Sequence, residues 1–243
     1  MTASTQDTVY QGRVKLVQPE AGFRAGFDSL ALAAALPPLE KGDALELGCG
    51  CGGALLPAAY RLPHLRFTGI EQDATTASLA QQGADLNEYG ERVLVHLAEA
   101  SSWVQAHENR FDLVFANPPY FEPGKISAPG GGKAGAYIES LPLEGWVKAM
   151  LFAAKPRAPV ILIHRAAELA RLLVPLDRQA GEITVLPIAS KVGEPARRVL
   201  VRARKGLKRG PLTLLSPLVT HTEDGAARTA EADAIVRGLP IVW

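Results

Sequence analysis

The chain has 243 residues, 47% of them hydrophobic and 21% charged, with a formal net charge of +1. This is the composition of an ordinary globular protein, long enough to bury one substantial core. No uncharged apolar run reaches the roughly 18 residues of a membrane span, and the polar start MTASTQDT lacks the basic-then-apolar order of a secretion signal. A soluble, cytoplasmic, monomeric protein with no membrane partner is therefore expected. Cys49 and Cys51 are the only cysteines. Two cysteines supply neither a disulfide framework nor a soft four-ligand metal site, and in a glycine run they read as small packing residues.

In chain order, Asp28 stands where an N-cap belongs, ahead of SLALAAAL, and Pro37 and Pro38 end that helix. From residue 42, β-branched runs alternate with helical patterns. DALELG (43–48), LRFTGIE (65–71), RVLVHLA (92–98), FDLVFA (111–116) and APVILIH (158–164) read as strands. Residues 53–61, 74–88, 99–108 and 143–154 suit the helices between them. GEITVLPI (181–188) and ARRVLVRAR (196–204) add two further strands, and EPGKISAPGGGKAG (122–135) reads as a loose loop. The pattern predicts a Rossmann-like α/β fold with a mostly parallel, seven-stranded sheet flanked by helices. It forms one domain, made of an amino-terminal lead-in (1–40), a cofactor-binding core (41–190) and a basic carboxyl-terminal portion (191–243).

LELGCGCGG places Gly48, Gly50 and Gly53 after the first strand of that sheet at G-x-G-x-x-G spacing. Such glycines let the backbone turn and approach a ligand, and Glu71, 23 residues past Gly48 with Gln72 beside it, can accept hydrogen bonds from ribose hydroxyls. An adenosine-type cofactor is implied, and on these residues alone a nicotinamide dinucleotide would serve. Glu46, two residues before Gly48, completes an E-x-G-x-G loop that resembles that of S-adenosylmethionine-dependent methyltransferases. The resemblance implies that Glu46 contacts the cofactor's methionine end and Glu99, where an aspartate is commoner, its adenine.

FANPPYF (115–121) follows the fourth strand, and its prolines cannot continue a ladder. The corner lies at the carboxyl edge of the sheet, where open α/β folds bind ligands. The Asn117 side-chain oxygen and the Pro118 carbonyl can accept the hydrogens of an exocyclic amine, while Tyr120 offers a stacking face. Phe121, or Phe115, would add a second aromatic wall.

These motifs resemble class I methyltransferases of the N-P-P-Y group. QPEAGFRAGFDSLALAAALP, RVLVRARKG and LLSPLVTHTEDGAARTAEADAIVRG resemble more narrowly the bacterial tRNA adenine-N6 methyltransferases that modify adenosine 37 of a valine tRNA. The resemblance implies cofactor contacts near Arg24, Asp28, Glu46, Gly48, Glu71 and Glu99, and substrate-amine contacts at Asn117, Pro118 and Tyr120. Glutamine methyltransferases of release factors and guanine methyltransferases of ribosomal RNA carry the same corner or a close variant, so the acceptor stays open among these. An RNA-binding protein with a vestigial site is the reading from another class.

Charge is uneven along the chain. Residues 191–209 hold eight basic residues against one acid, Glu194, a local charge of +7 that leaves −6 for the remainder. A polyanion-binding patch is expected there, with Lys191, Arg198, Arg202 and Lys205 gripping tRNA phosphates.

Overall fold

A computed structural model describes residues 3–21, 24–120 and 141–243. The chain opens with an antiparallel hairpin of β1 (Ser4–Val9) and β2 (Val14–Pro19), turned through positive φ at Tyr10, Gln11 and Gly12. β1 buries none of its residues, so it lacks the apolar alternation that marks a strand in sequence. Next comes α1 (Phe27–Ala35), which buries every residue from Ser29 to Ala35. It stops at Leu36, whose extended backbone (φ −71°, ψ 129°) is the conformation a following proline imposes.

The α/β body follows as β3 (Gly42–Leu47), α2 (Leu55–Arg61), β4 (Leu65–Glu71), α3 (Ala74–Leu86), β5 (Val93–Leu97), α4 (Ala100–Val104), β6 (Leu113–Ala116), α5 (Leu143–Ala153) and β7 (Pro159–Arg165). It continues as α6 (Leu169–Gln179), β8 (Ala180–Ala189), β9 (Arg198–Lys205), the two-residue strands β10 (Thr213–Leu214) and β11 (Leu218–Val219), and α7 (Ala230–Val236). The nine strands of this sheet run β10-β8-β9-β7-β6-β3-β4-β5, with β11 also on β8. Only β9 is antiparallel to its neighbours β7 and β8. All seven expected strands are present. The two short strands, the amino-terminal hairpin, α6 with Pro175 inside it, and α7 were not anticipated.

Alternation along the strands sorts the core onto the two faces of the sheet. Phe115, Ile161 and Leu200 pack with α1 and α2, whereas Val114, Ala116, Val160 and Leu162 pack with α5 and α6. The chain winds outward from β3 through β4 to β5, then returns to β6 on the other side of β3. The carboxyl ends of β3 and β6 therefore flank the switch point at which open α/β sheets form their ligand crevice. The basic segment is no appendage, because β9 lies between β7 and β8 inside the sheet.

Candidate active site

The loop after β3 turns through left-handed backbone at Gly48 (φ +68°), Gly50 (φ +55°) and Gly52 (φ +83°). At Gly48 a Cβ would meet the Trp146 ring at 2.7 Å, so substitution there is blocked by contact as well as by φ. Gly53, the third glycine of the sequence motif, has no such φ. A Cβ on it would instead lie 2.8 Å from that of Ala25, so its role is to let the chain leading into α1 pack against the loop. Glu71, at the end of β4, accepts from the Gly50 amide at 3.0 Å and from the Asp73 amide at 2.9 Å. Its carboxylate thus ties the glycine loop to the next strand, keeping lone pairs for a ligand hydroxyl. Gln72, beyond it, is exposed. Cys49 and Cys51 are free and buried, as small packing residues should be.

Glu46 is 2% exposed, and its Oε2 has no hydrogen-bond partner. Burial, reinforced by the nearby Glu71 charge, pushes its carboxyl well above the usual range. The Leu55 amide supports the carboxyl in part, but its buried, unpartnered oxygen under a glycine loop is costly unless a ligand supplies a partner. The ammonium group of an amino-acid moiety is such a partner, so the donor set fits S-adenosylmethionine.

Across the switch point, Asn117 follows the last residue of β6, and its Oδ1 is likewise buried without a partner. Pro118 is buried and Pro119 exposed. Tyr120 is anchored: its hydroxyl donates to Asp28 Oδ2 at 2.5 Å, and Arg198 Nε donates to the same oxygen at 2.8 Å. The Arg198 guanidinium also lies 4.6 Å from the centre of the Tyr120 ring, while His164 meets that ring edge-on at 5.1 Å. Burial, followed by the Asp28 carboxylate, raises the Tyr120 pKa and keeps the phenol a donor.

One expected role is corrected by this geometry, and other candidate residues find partners within the chain. Asp28 is not the N-cap of α1: Gly26 occupies that position, and the Asp28 carboxylate is drawn to Tyr120 and Arg198 instead. Arg198, expected to grip phosphate, is committed to Asp28 and to the Tyr120 ring. Arg24 binds Asp7, Thr5 and the Pro19 carbonyl, and so ties the amino-terminal hairpin to the chain leading into α1. Glu99 caps α4, accepting from the amides and hydroxyls of Ser101 and Ser102. Burial opposes its ionisation, but these hydrogen bonds outweigh it and hold its pKa down at about 2. Phe121 and the 122–135 loop lie outside the described residues.

Nor do the basic residues form one patch. β9 runs antiparallel to β7, which places Arg198 level with Arg165 at the carboxyl edge of the sheet and Arg204 level with Pro159 at the amino edge. The two ends of β9 are about 23 Å apart for an extended strand of this length. Lys205 is spent on structure, donating to the Phe152 and Ala154 carbonyls that end α5 and to Asn109 Oδ1. Lys191 is half-buried against Gly225. Arg202 is different. It lies 4.6 Å from the centre of the Trp243 ring and makes no salt bridge among the described residues. It lines a groove of about 650 Å³ at the amino edge together with Pro37, Leu39, Glu182, Arg204 and Lys208.

Sequence reasoning missed Trp146 and His164, which sit inside otherwise apolar runs. Both have buried ring nitrogens without partners, Nε1 of Trp146 and both nitrogens of His164.

Residues 24–129 match the family model described as methyltransferase small domain, a span that includes α1, the glycine loop and the Asn117 corner. The chain has the fold of the class I methyltransferases. It is similar to the tRNA1(Val) (adenine(37)-N6)-methyltransferase of Yersinia pestis (strain Pestoides F), 33% identical over 102 residues, which are 42% of this chain and 41% of that one. The match thus spans about two fifths of the curated relative's length. Among solved structures, the fold is shared with a predicted O-methyltransferase from Agrobacterium tumefaciens (TM-score 0.74, 24% identity, 88% of this chain and 98% of that one). It is also shared with the 16S rRNA N2 G1207 methyltransferase of T. thermophilus, in complex with AdoMet and guanosine (TM-score 0.56, 18% identity, 86% of this chain and 46% of that one).

Proposed function

We propose that the chain is an S-adenosylmethionine-dependent methyltransferase of the N-P-P-Y group that methylates the N6 amine of an adenosine in tRNA, position 37 of a valine tRNA being the target. The observation that carries this reading is the buried, unpartnered Oδ1 of Asn117, held at the switch point opposite the glycine loop. A free amide oxygen there is the acceptor an exocyclic amine requires. The named activity of the partial relatives supports the choice of adenosine and tRNA.

In this reading Gly48 and Gly50 allow close approach of the cofactor, Glu46 pairs with its ammonium group, and Glu71 accepts from its ribose. When bound, the cofactor supplies an electrophilic methyl group. Asn117 Oδ1 and the Pro118 carbonyl accept the two N6 hydrogens, which orients the nitrogen lone pair and stabilises the positive charge that develops on it. Tyr120, fixed by Asp28, carries Arg198 over its ring and so has one face left for the base. An adenosine in a loop can be splayed out to reach this pocket. The Arg202, Arg204 and Lys208 groove provides a phosphate contact some way from the chemistry. A tRNA acceptor implies a cytoplasmic enzyme.

The test is transfer of labelled methyl from S-adenosylmethionine to bulk tRNA lacking the modification, followed by nucleoside analysis. N6-methyladenosine is expected. Label in another nucleoside, or in a protein glutamine but in no tRNA, would replace the proposed acceptor.

A further inference from the structure

His164 is 2% exposed, and neither ring nitrogen makes a hydrogen bond of good geometry, although the Pro119 carbonyl is near enough to act on the ring. Some buried polar side chains of this fold are satisfied, whereas the Tyr10 hydroxyl and Trp146 Nε1, like His164, have no partner among the described residues. Gln18 uses its amide nitrogen on Asp7 and its amide oxygen on the Ala25 amide, and the Thr220 hydroxyl meets the Ala189 carbonyl. A buried polar group left unpaired costs about 1–3 kcal/mol, and an apolar ring of similar size would avoid that cost at an otherwise apolar strand. Stability alone does not account for an imidazole here.

Its position does. Leu162 is level with Ala116, the last residue of β6, and His164 lies two residues further along β7, past the end of that ladder, while on its other side it pairs with Val199, next to Arg198. The ring sits between the Asn117 corner and the strand that carries Arg198, in edge contact with Tyr120. Burial lowers its pKa, the Arg165 and Arg198 charges act in the same direction, and the Pro119 carbonyl and Glu168 oppose them only in part. The imidazole is therefore neutral near neutral pH, with one N–H to donate and one lone pair to accept. Adenine presents N6 flanked by two ring acceptors, N1 and N7. With Asn117 and Pro118 occupied by the amine hydrogens, a flanking ring nitrogen still needs a donor.

We propose that His164 is a specificity-determining residue that donates a hydrogen bond to a ring nitrogen of the acceptor base, beside the amine held by Asn117. This rests on the adenine-N6 reading above. The experiment uses the full chain and an anticodon stem-loop RNA made with adenosine, 1-deazaadenosine or 7-deazaadenosine at the target. Wild type is expected to lose about tenfold in kcat/KM with one of the two deaza bases, the worth of one hydrogen bond. His164→Phe is expected to show a similar loss on adenosine, no further loss on the deaza base, and a thermal midpoint equal to or above wild type. His164→Gln or His164→Asn should restore part of the rate. The proposal is overturned if His164→Phe methylates adenosine at the wild-type kcat/KM, if its loss adds to the deaza loss, or if it melts lower with no rescue by either amide. Failure of wild type to methylate adenosine at all would instead overturn the adenine-N6 reading.

Discussion

The Tyr120 hydroxyl donates to the Asp28 carboxylate across 92 residues of sequence, joining the corner after β6 to the first turn of α1. Arg198 completes the cluster from β9, so three separated segments fix one aromatic ring. Removing Asp28 strands two donors at once. Asp28→Ala is expected to lose about 1–3 kcal/mol of stability by urea unfolding and to lower turnover. An Asp28/Tyr120 double-mutant cycle using Tyr120→Phe should give a coupling energy of about 1 kcal/mol, and strictly additive effects would deny the anchor.

Asn117→Ala separates chemistry from binding. Because Oδ1 is unpaired in the folded chain, its removal should leave the thermal midpoint at or above wild type, and cofactor affinity should stay near normal. Turnover should fall about a hundredfold or more, as when one stabilising hydrogen-bond partner of a transition state is deleted. Single-turnover methyl transfer alongside calorimetric cofactor titration measures both.

The Glu46 carboxyl, its pKa raised by burial and then by Glu71, gives a pH signature. A carboxyl raised on folding contributes stability that is fully present below its unfolded value and is lost as pH rises through the folded value. The ligand-free protein should therefore lose stability as pH rises through that window, and Glu46→Gln should flatten the loss while abolishing cofactor affinity. Binding of the cofactor ammonium to wild type should release a proton, visible as a difference between calorimetric titrations in buffers of unlike ionisation enthalpy. That difference should vanish in Glu46→Gln.

Splitting the basic segment yields opposite expectations for its residues. Replacing Arg202 by alanine should weaken tRNA binding and lower the slope of log affinity against log salt by about one, for the phosphate left without its cation; Arg204 is already engaged by the Arg157 carbonyl and Glu182. Lys205→Ala should leave that slope unchanged and lower the thermal midpoint, since its ammonium caps the carbonyls ending α5. Filter binding across a salt series distinguishes them.

Glu99→Ala should cost about 1 kcal/mol, the worth of an N-cap. With its folded pKa near 2, the Glu99 contribution is present above the ordinary carboxylate range and fades as pH falls towards that value. An acid-unfolding series on wild type and variant reads the difference.

The sequence by itself determined seven strands of the sheet and the five helices from α1 to α5, the glycine loop and the Asn117 corner, because each is written in local signals. These are apolar period, glycines that admit positive φ, and prolines that end a ladder. It also located Asp28, Glu46 and Glu71. It did not show the use to which Asp28 is put, since capping is a local inference and the Tyr120 contact is not local. Eight basic residues in nineteen positions suggested one patch. An extended strand instead carries its ends to opposite edges of the sheet, and the termini of neighbouring elements draw individual cations out of solvent. Only the tertiary structure could decide which polar atoms remain unpaired, because that depends on every neighbour in space. The unpaired atoms of Glu46 and His164, on the carboxyl halves of β3 and β7, and of Asn117, just past the end of β6, are the ones we propose a ligand completes.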